Sequence, residues 1–179
     1  FYFESMVDPS CLIYMGRDKH ENEFLIKYAQ HHDIWFHVDD LSSAHVYLRT
    51  KEPITSYQEV PKEVILECAQ LTKANSIEGC KKASVGINFT WATNLLKTHD
   101  METGSVSFKN RKLVELIHIE KNKDIIRGVM KSKKEAAPDF AKDYQVYLRE
   151  LEKAKNLELK NEKIQKEEEE KAKKSEIEQ

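Results

Sequence analysis

The stretch DIWFHV at residues 33–38, followed by SAHVYL at residues 43–48, decides the fold. Both segments are rich in aromatic and β-branched residues, which favour β-strands. The polar segment 39–43 between them is typical of a turn. The default arrangement is therefore an antiparallel hairpin, with strands over residues 34–38 and 44–48.

Alternation along each strand sorts the side chains of this hairpin onto two faces. Trp35 and His37 are two residues apart and share one face of the first strand, opposite its aliphatic residues. His45 and Tyr47 share a face in the second strand. Two histidines and a tryptophan thus project from adjacent strands. They form either a recognition surface or part of a core in which each imidazole bonds a backbone carbonyl.

Upstream of the hairpin, the pattern predicts a strand and then a helix. Residues 11–15 (CLIYM) are a short apolar run, typical of a buried strand. Asp18 can cap the following helix, with Glu21 three residues on, as in a capping box. Phe24 and Leu25 belong to the predicted apolar face of this helix.

Downstream of the hairpin, the pattern predicts another helix and three more strands. A proline suits the first turn of a helix, which favours a helix over residues 61–74. Residues 83–89 alternate weakly and predict a strand. Residues 105–108 and 113–119 predict a final hairpin. The expected fold class is mixed α/β, with a mostly antiparallel sheet, flanking helices and a charged C-terminal helical tail.

Charge divides the chain into a core domain and a tail. Residues 1–120 carry 13 Lys and Arg against 17 Asp and Glu, whereas residues 121–179 carry 16 against 14. We expect the tail to be helical and interrupted at Pro138. Apolar residues recur at roughly heptad spacing at Tyr144, Tyr147, Leu148, Leu151 and Ala154. About two heptads give only weak coiled-coil character, because a stable coiled coil needs three or four.

Several classes of protein are excluded by composition. No run of about 18 apolar residues is present, so no membrane span is expected. The first residues lack the basic and apolar regions of a signal peptide. Cys11, Cys68 and Cys80 lie far apart in the sequence, which disfavours a disulfide framework or a zinc finger. A reducing compartment, the cytoplasm or the nucleus, fits this cysteine usage.

Metal binding and catalysis are weaker alternatives for the histidine pair. A metal site would use His37 and His45. Either Asp33 or Asp39 would add a ligand, but zinc requires three or four and no further ligand is evident. A catalytic site would pair Ser43 with His45, although neighbours on one strand need not meet productively. The sequence has no phosphate-binding or nucleophile-elbow motif, so we expect no enzyme activity, cofactor or metal.

A basic segment favours nucleic-acid binding instead. Residues 81–112 hold six Lys and Arg against two acidic residues, within an acidic core domain. Such cations neutralise phosphates, while Trp35, His37 and His45 would shape the recognition surface. The candidate phosphate contacts are Lys81, Lys82, Lys97, Lys109, Arg111 and Lys112. The structural alternative is that residues 109–112 form only a solvent-exposed hairpin tip. The alternative function is a protein-interaction adaptor that uses the sheet and the tail.

Several blocks of the sequence together resemble the NFACT-R domain family. The resemblance covers the opening at residues 13–22, the D-x-W-F-H…S-x-H-V centre and the later blocks at residues 71–77 and 90–97. It runs from about residue 1 to residue 120. Besides the candidates above, the matching positions are Gly16, Arg17, Asn22, Asp33, Phe36, Ser43 and Val46.

The resemblance implies an α/β domain that binds RNA without catalysis. In larger relatives, this domain belongs to ribosome-associated quality-control factors that engage tRNA on the large ribosomal subunit. We therefore expect tRNA or ribosomal RNA as the partner, with DNA binding by the same basic patch as a second alternative. Activities that need the other modules of those factors are not implied for this chain.

Overall fold

The computed structural model describes residues 1–136 and 139–177, and divides the chain into two compact units, residues 1–138 and 139–179. The strands are β1 (Tyr2–Glu4), β2 (Leu12–Met15), β3 (Ile34–Val38), β4 (Val46–Arg49), β5 (Ser84–Trp91), β6 (Leu95–Leu96), β7 (Ser107–Phe108) and β8 (Glu115–Glu120). The helices of the first unit are α1 (Lys19–Tyr28), α2 (Lys62–Ala74) and α3 (Lys123–Lys131). Helix α4 (Phe140–Ile177) lies in the second unit.

The predicted mixed α/β class is confirmed, and the hairpin lies at the centre of the sheet. Within the described residues, six strands pair in the order β1-β2-β4-β3-β5-β8, and every neighbouring pair is antiparallel. Strands β3 and β4 pair as the sequence predicts, with Ile34 opposite Leu48 and Trp35 opposite Tyr47. Because paired residues share a face, the alternation of the hairpin extends across the sheet.

The predicted final hairpin is wrong. Strand β7 pairs with β6, while β8 pairs with β5 over Ser84–Phe89. Asn94 accounts for part of this difference, because its amide nitrogen donates to the Asn110 carbonyl and its oxygen accepts the Asn110 N–H, both at 2.9 Å. These bonds hold the end of β7 beside β6. Ile119 in β8 is buried against the core, which favours pairing with β5.

Helices α1 and α3 begin where the sequence supplies a capping side chain. The Asp18 carboxylate accepts the backbone N–H groups of His20 and Glu21, both at 2.9 Å, at the start of α1. Pro61, predicted in the first turn of a helix over residues 61–74, lies one residue before α2. Asn122 caps α3 in the same manner as Asp18, with bonds to the next helical N–H groups.

One face of the sheet carries the aliphatic core. Ile34, Phe36 and Val38 pack on this face in one cluster with Cys68 of α2 and Val129 of α3. The two helices therefore cover the same face. The thiol of Cys68 is free, as are the other two cysteine thiols of the described residues.

The first unit continues past residue 120, where the sequence places the domain boundary. The side chain of Gln70 in α2 donates to the Glu120 carbonyl at 2.7 Å and accepts the Asn122 N–H at 3.0 Å. The fully buried Val129 then brings α3 into the core. Helix α3 thus belongs structurally with the sheet, although the sequence groups it with the charged tail.

The second unit is a long, mostly exposed helix. Among the predicted heptad residues, Tyr144, Tyr147 and Leu148 are half-buried, and Leu151 and Ala154 are exposed. Pro138, the predicted interruption, lies outside the described residues. No helix among the described residues is both long and apolar enough to cross a membrane.

Candidate nucleic-acid interface

The second face of the sheet carries polar and aromatic side chains in place of aliphatic ones. Trp35 is only 2% exposed, and its indole N–H donates to Nδ1 of His45 at 2.9 Å. His45 is 3% exposed. The structure therefore places both residues beneath the surface and joins them as a hydrogen-bonded pair, which limits their direct contact with a large ligand.

The protonation state of His45 follows from this contact. Since Nδ1 accepts the indole proton, the ring proton of a neutral imidazole must be on Nε2. Burial, together with the neighbouring His37, lowers the pKa of His45 to about 3. The imidazole is therefore neutral at physiological pH, and it supports the Trp35 ring without carrying a charge for phosphates.

His37 is half-buried and reaches the surface. Its ring stacks on the indole of Trp35, with centroids 5.5 Å apart and planes 10° apart. Nδ1 lies 2.6 Å from the Val38 carbonyl oxygen, which can only accept, so the proton is on Nδ1. Nε2 then keeps its lone pair. Burial lowers the pKa of His37 below its usual value, so the ring acts as a neutral hydrogen-bond acceptor.

A cleft of about 1120 Å³ opens beside this pair. The Phe108 ring lies edge-on to the indole at 5.6 Å. The aromatic residues that line the cleft are Phe1, Trp35, His37, His45 and Phe108. The charged residues that line the cleft are Arg17, Lys19, Arg111, Asp18, Asp39, Asp40 and Glu102. Three cations thus face four carboxylates, so the cleft is not a basic surface.

Asn22 provides an unsatisfied group in the wall of the cleft. Its side chain is 7% exposed, and Oδ1 has no hydrogen-bond partner among the described residues. Gly16 lies directly against this amide, and any Cβ at that position would collide with Asn22 Oδ1. A buried acceptor without a hydrogen bond lowers the stability of the fold.

Ser43 holds the turn between β3 and β4. Its hydroxyl accepts the Val38 N–H at 3.1 Å and donates to the Ala44 carbonyl at 3.0 Å. The hydroxyl proton is thus committed to the backbone, and His45 Nδ1 is committed to Trp35. The Ser43–His45 catalytic pair, the weaker alternative from the sequence, is not assembled. Among residues 1–136 and 139–177, no group of three His, Cys, Asp or Glu residues could hold a metal ion.

Most of the other family-motif residues stabilise the fold. Phe36 and Val46 lie in the aliphatic core. Asp33 is fully buried and accepts two hydrogen bonds from Arg49, at 2.7 and 2.9 Å. It also accepts the Tyr14 hydroxyl proton at 2.6 Å. Arg17 forms an ion pair with Glu21 at 2.6 Å, beside the cleft.

The structure does not bring the six predicted phosphate contacts together. Lys81 and Lys82 precede β5 at Ser84, whereas Lys109, Arg111 and Lys112 precede β8, which begins opposite Phe89. These two groups lie at opposite ends of β5, about 20 Å apart at the usual rise of a strand. Arg111 lies at the cleft, and Lys109 lines a separate groove.

Lys97 has a structural role. Its ammonium forms an ion pair with Glu23 at 2.7 Å and donates to the carbonyls of Glu102 and Ser105, at 2.6 and 2.8 Å. These bonds fasten the 102–105 loop to α1. The charge of Lys97 is therefore already compensated, so it is the poorest phosphate ligand of the six.

Asn88 and Phe108 are cleft residues that the sequence analysis missed. Asn88 lies opposite His37 in the β3–β5 pairing and donates to Asp39 at 2.9 Å. Its position on this face follows from alternation once the pairing of β3 with β5 is known. Phe108 reaches Trp35 through the β6–β7 hairpin, and no short-range pattern predicts that contact.

Comparisons with known proteins identify similar chains. A family model described as "NFACT protein RNA binding domain" matches residues 1–110. The chain is 50% identical over 143 residues to Coiled-coil domain-containing protein 25 of Danio rerio, with 79% of this chain and 69% of the relative covered. It is 26% identical over 103 residues to the Rqc2 homolog RqcH of Bacillus subtilis, with 57% of this chain and 17% of RqcH covered.

A solved structure shares the fold. It is the C-terminal part of the fibronectin/fibrinogen-binding protein from Streptococcus suis, with a TM-score of 0.60 and 21% sequence identity. The match covers 72% of this chain and 48% of that chain. At this identity, the likeness concerns the arrangement of strands and helices alone.

Proposed function

Because the chain belongs to the family of NFACT protein RNA-binding domains, we propose that its first unit binds RNA and receives an unpaired nucleotide in the cleft beside His37. The observation that carries this proposal is the stacked Trp35–His37 pair at the cleft, where Nε2 of His37 keeps its lone pair as a hydrogen-bond acceptor. Ribose hydroxyls and base amino groups are the donors that such acceptors recognise.

The size and charge of the cleft support a nucleotide as its ligand. Its volume of about 1120 Å³ slightly exceeds the range of about 300–1,000 Å³ that is typical of small-ligand pockets. Lys19 and Arg111 supply cations for phosphates, whereas Arg17 is already paired with Glu21. The carboxylates of the cleft can accept hydrogen bonds from base amino groups. With one or two phosphates neutralised, the slope of log affinity against log salt concentration for single-strand binding should be about −0.7 to −1.4.

The RNA that we propose as the partner is tRNA or ribosomal RNA. The similarity to the Rqc2 homolog RqcH supports a place in ribosome-associated quality control. The binding step requires no chemistry from the protein, and we propose no catalytic activity. DNA binding by the same residues is the alternative, and a requirement for the 2′-hydroxyl would distinguish RNA binding from DNA binding. The protein would act in the cytoplasm or the nucleus.

Fluorescence anisotropy with labelled tRNA, single-stranded RNA and duplex DNA at two salt concentrations tests the proposal. We expect salt-sensitive binding that is strongest for the RNA ligands. Arg111→Ala should weaken it about tenfold, the value of a typical charged hydrogen bond. The matched control is Arg127→Ala, an exposed arginine of α3 on the opposite face of the sheet. No binding at low salt, or equal effects of both variants, would reject the cleft.

Deletion of residues 139–179 separates RNA binding from the adaptor function. The hydrophobic core and the cleft are both formed by residues before 137. RNA affinity should therefore remain within about twofold, because the lost segment nearly balances its charges. A loss of RNA affinity would assign RNA binding to the tail and reject the cleft, whereas the adaptor function predicts that the deletion abolishes binding of a protein partner.

A further inference from the structure

Helix α1 exposes an aromatic ring that the fold does not use. The sequence predicts Phe24 on the apolar face of α1, yet Phe24 is 57% exposed, whereas Leu25 is 1% exposed. The buried face is instead set by Asn22 and Leu25, three residues apart. Phe24 stacks along the helix on Tyr28, with ring centroids 6.4 Å apart. Its outer surface faces solvent.

A groove of about 450 Å³ lies beside this ring and is distinct from the cleft. Its apolar wall consists of Phe24, Ile26, Leu95 and Leu96, and Leu96 is 36% exposed. Helix α1 provides one side and the end of β6 provides the other. The groove thus offers a flat aromatic surface with an aliphatic floor.

The groove also has a net positive charge. Glu23 and Lys97 line it, but they pair with each other at 2.7 Å and cancel. The positive charges of Lys27 and Lys109, which are both exposed, remain unbalanced. The backbone N–H of Lys109 donates to the Asn94 carbonyl at 2.9 Å, which anchors this lysine at the end of β7. The charge complements an anion with a flat apolar part.

We propose that this groove is a stacking subsite for one unpaired RNA base, which lies on Phe24 while Lys27 and Lys109 contact the flanking phosphates. The inference rests on the proposed function and extends it to a second nucleotide position. Aromatic side chains beside cations are the common means of holding single strands without sequence preference. The two sites share α1, since Asn22 lines the cleft and Phe24 lines the groove.

Anisotropy with an oligoadenylate of about twelve nucleotides tests the subsite, since single-strand sites span roughly 4–16 nucleotides. Phe24→Ala should weaken binding about 5- to 100-fold, the loss of one stacked base. Phe24→Tyr keeps a ring and should restore most of the affinity. Leu66→Ala, at an exposed leucine on α2, is the matched control and should change nothing.

The salt slope distinguishes stacking from charge. Phe24→Ala should leave the slope unchanged, whereas Lys109→Ala should make it shallower by about 0.7. Direct contact is measured with Phe24→Trp, whose indole fluorescence should be quenched when adenine stacks on it. The indole introduced by Leu66→Trp should show no change.

The outcomes separate this inference from the proposed function. If the parent chain binds the oligonucleotide and Phe24→Ala binds equally well, the subsite is rejected and RNA binding by the cleft stands. The groove would then be free for a protein side chain. If the parent chain binds no RNA, both proposals are rejected. If Leu66→Ala lost affinity as Phe24→Ala does, both losses would reflect a general effect on the protein, and the subsite would be rejected.

Discussion

The two faces of the sheet come from alternating residues of the same strands, but different interactions stabilise them. On the face covered by α2 and α3, Ile34, Phe36 and Val38 pack by apolar contact alone. On the other face, Trp35 and His45 are equally buried but satisfy each other through a hydrogen bond. Contact with water would remove the stabilisation of the apolar side chains on the first face. The polar side chains on the second face can border a water-filled cleft. The difference explains why the candidate site lies on the polar face.

The largest expected effect is on the aliphatic face. Phe36 is fully buried and stacks on Phe89 with ring centroids 5.4 Å apart. Phe36→Ala should lower the free energy of unfolding by about 4 kcal/mol, through lost burial and the cavity left behind. Urea denaturation followed by circular dichroism measures this change. Phe24→Ala removes the same side chain from an exposed position and should cost less than about 0.5 kcal/mol. Similar losses for both variants would contradict the assignment of the core.

A smaller loss is expected from the buried ion pair on the polar face. Asp33→Asn leaves Arg49 without its charged partner, which costs about 3–5 kcal/mol for a fully buried pair. The Arg49 side chain is 26% exposed and can reach water, so we expect about 2–3 kcal/mol. Burial, and then the Asp33 carboxylate, raise the pKa of Tyr14 well above its usual value, so its hydroxyl can still donate to the amide.

Glu21→Gln is the matched control for the ion pair. It neutralises a carboxylate that pairs with Arg17, whose side chain is 52% exposed. Such surface pairs contribute about 0–1 kcal/mol. If urea denaturation gives the same loss for Asp33→Asn and Glu21→Gln, the Asp33 network does not stabilise the polar face.

Short-range patterns were sufficient to predict the central hairpin. The strand at residues 34–38 and the separation of Trp35 and His37 from the aliphatic residues follow from alternation and turn composition, and the structure confirms them. The second strand is shifted, since it runs from Val46 to Arg49 and not over residues 44–48. The start of α1 is confirmed for the same reason, because the Asp18 cap acts within one helical turn. Each of these features depends on residues close in sequence.

Features that depend on long-range pairing could not be predicted in this way. Strand β8 joins β5 rather than β7, although β7 is its neighbour in sequence. For the same reason, the basic segment 81–112 is continuous in sequence but divided in space. The burial of Trp35 depends partly on Phe108, which reaches it from the β6–β7 hairpin. Alternation gives the face of a residue but not what covers that face.

The smallest expected effect is a pH dependence of the polar face. The pKa of His45 is lowered from 6.5 in the unfolded chain to about 3 in the fold, by burial first and then by His37. The unfolded chain therefore binds the proton more tightly in this range, and stability falls as the pH decreases from about 7 towards 3. Between pH 7 and pH 5 the contribution of His45 should be about 1–2 kcal/mol.

The structural reason lies in the bond to Trp35. Protonation of Nδ1 turns the acceptor of the indole N–H into a second donor, so the pair must separate. His45→Gln retains an acceptor but cannot titrate, and urea denaturation at the two pH values should show a shallower loss than in the parent chain. His118→Gln, at an exposed histidine of β8, should keep the parental difference. An unchanged pH dependence in His45→Gln would mean that other groups dominate, and that the Trp35–His45 bond does not make the polar face acid-sensitive.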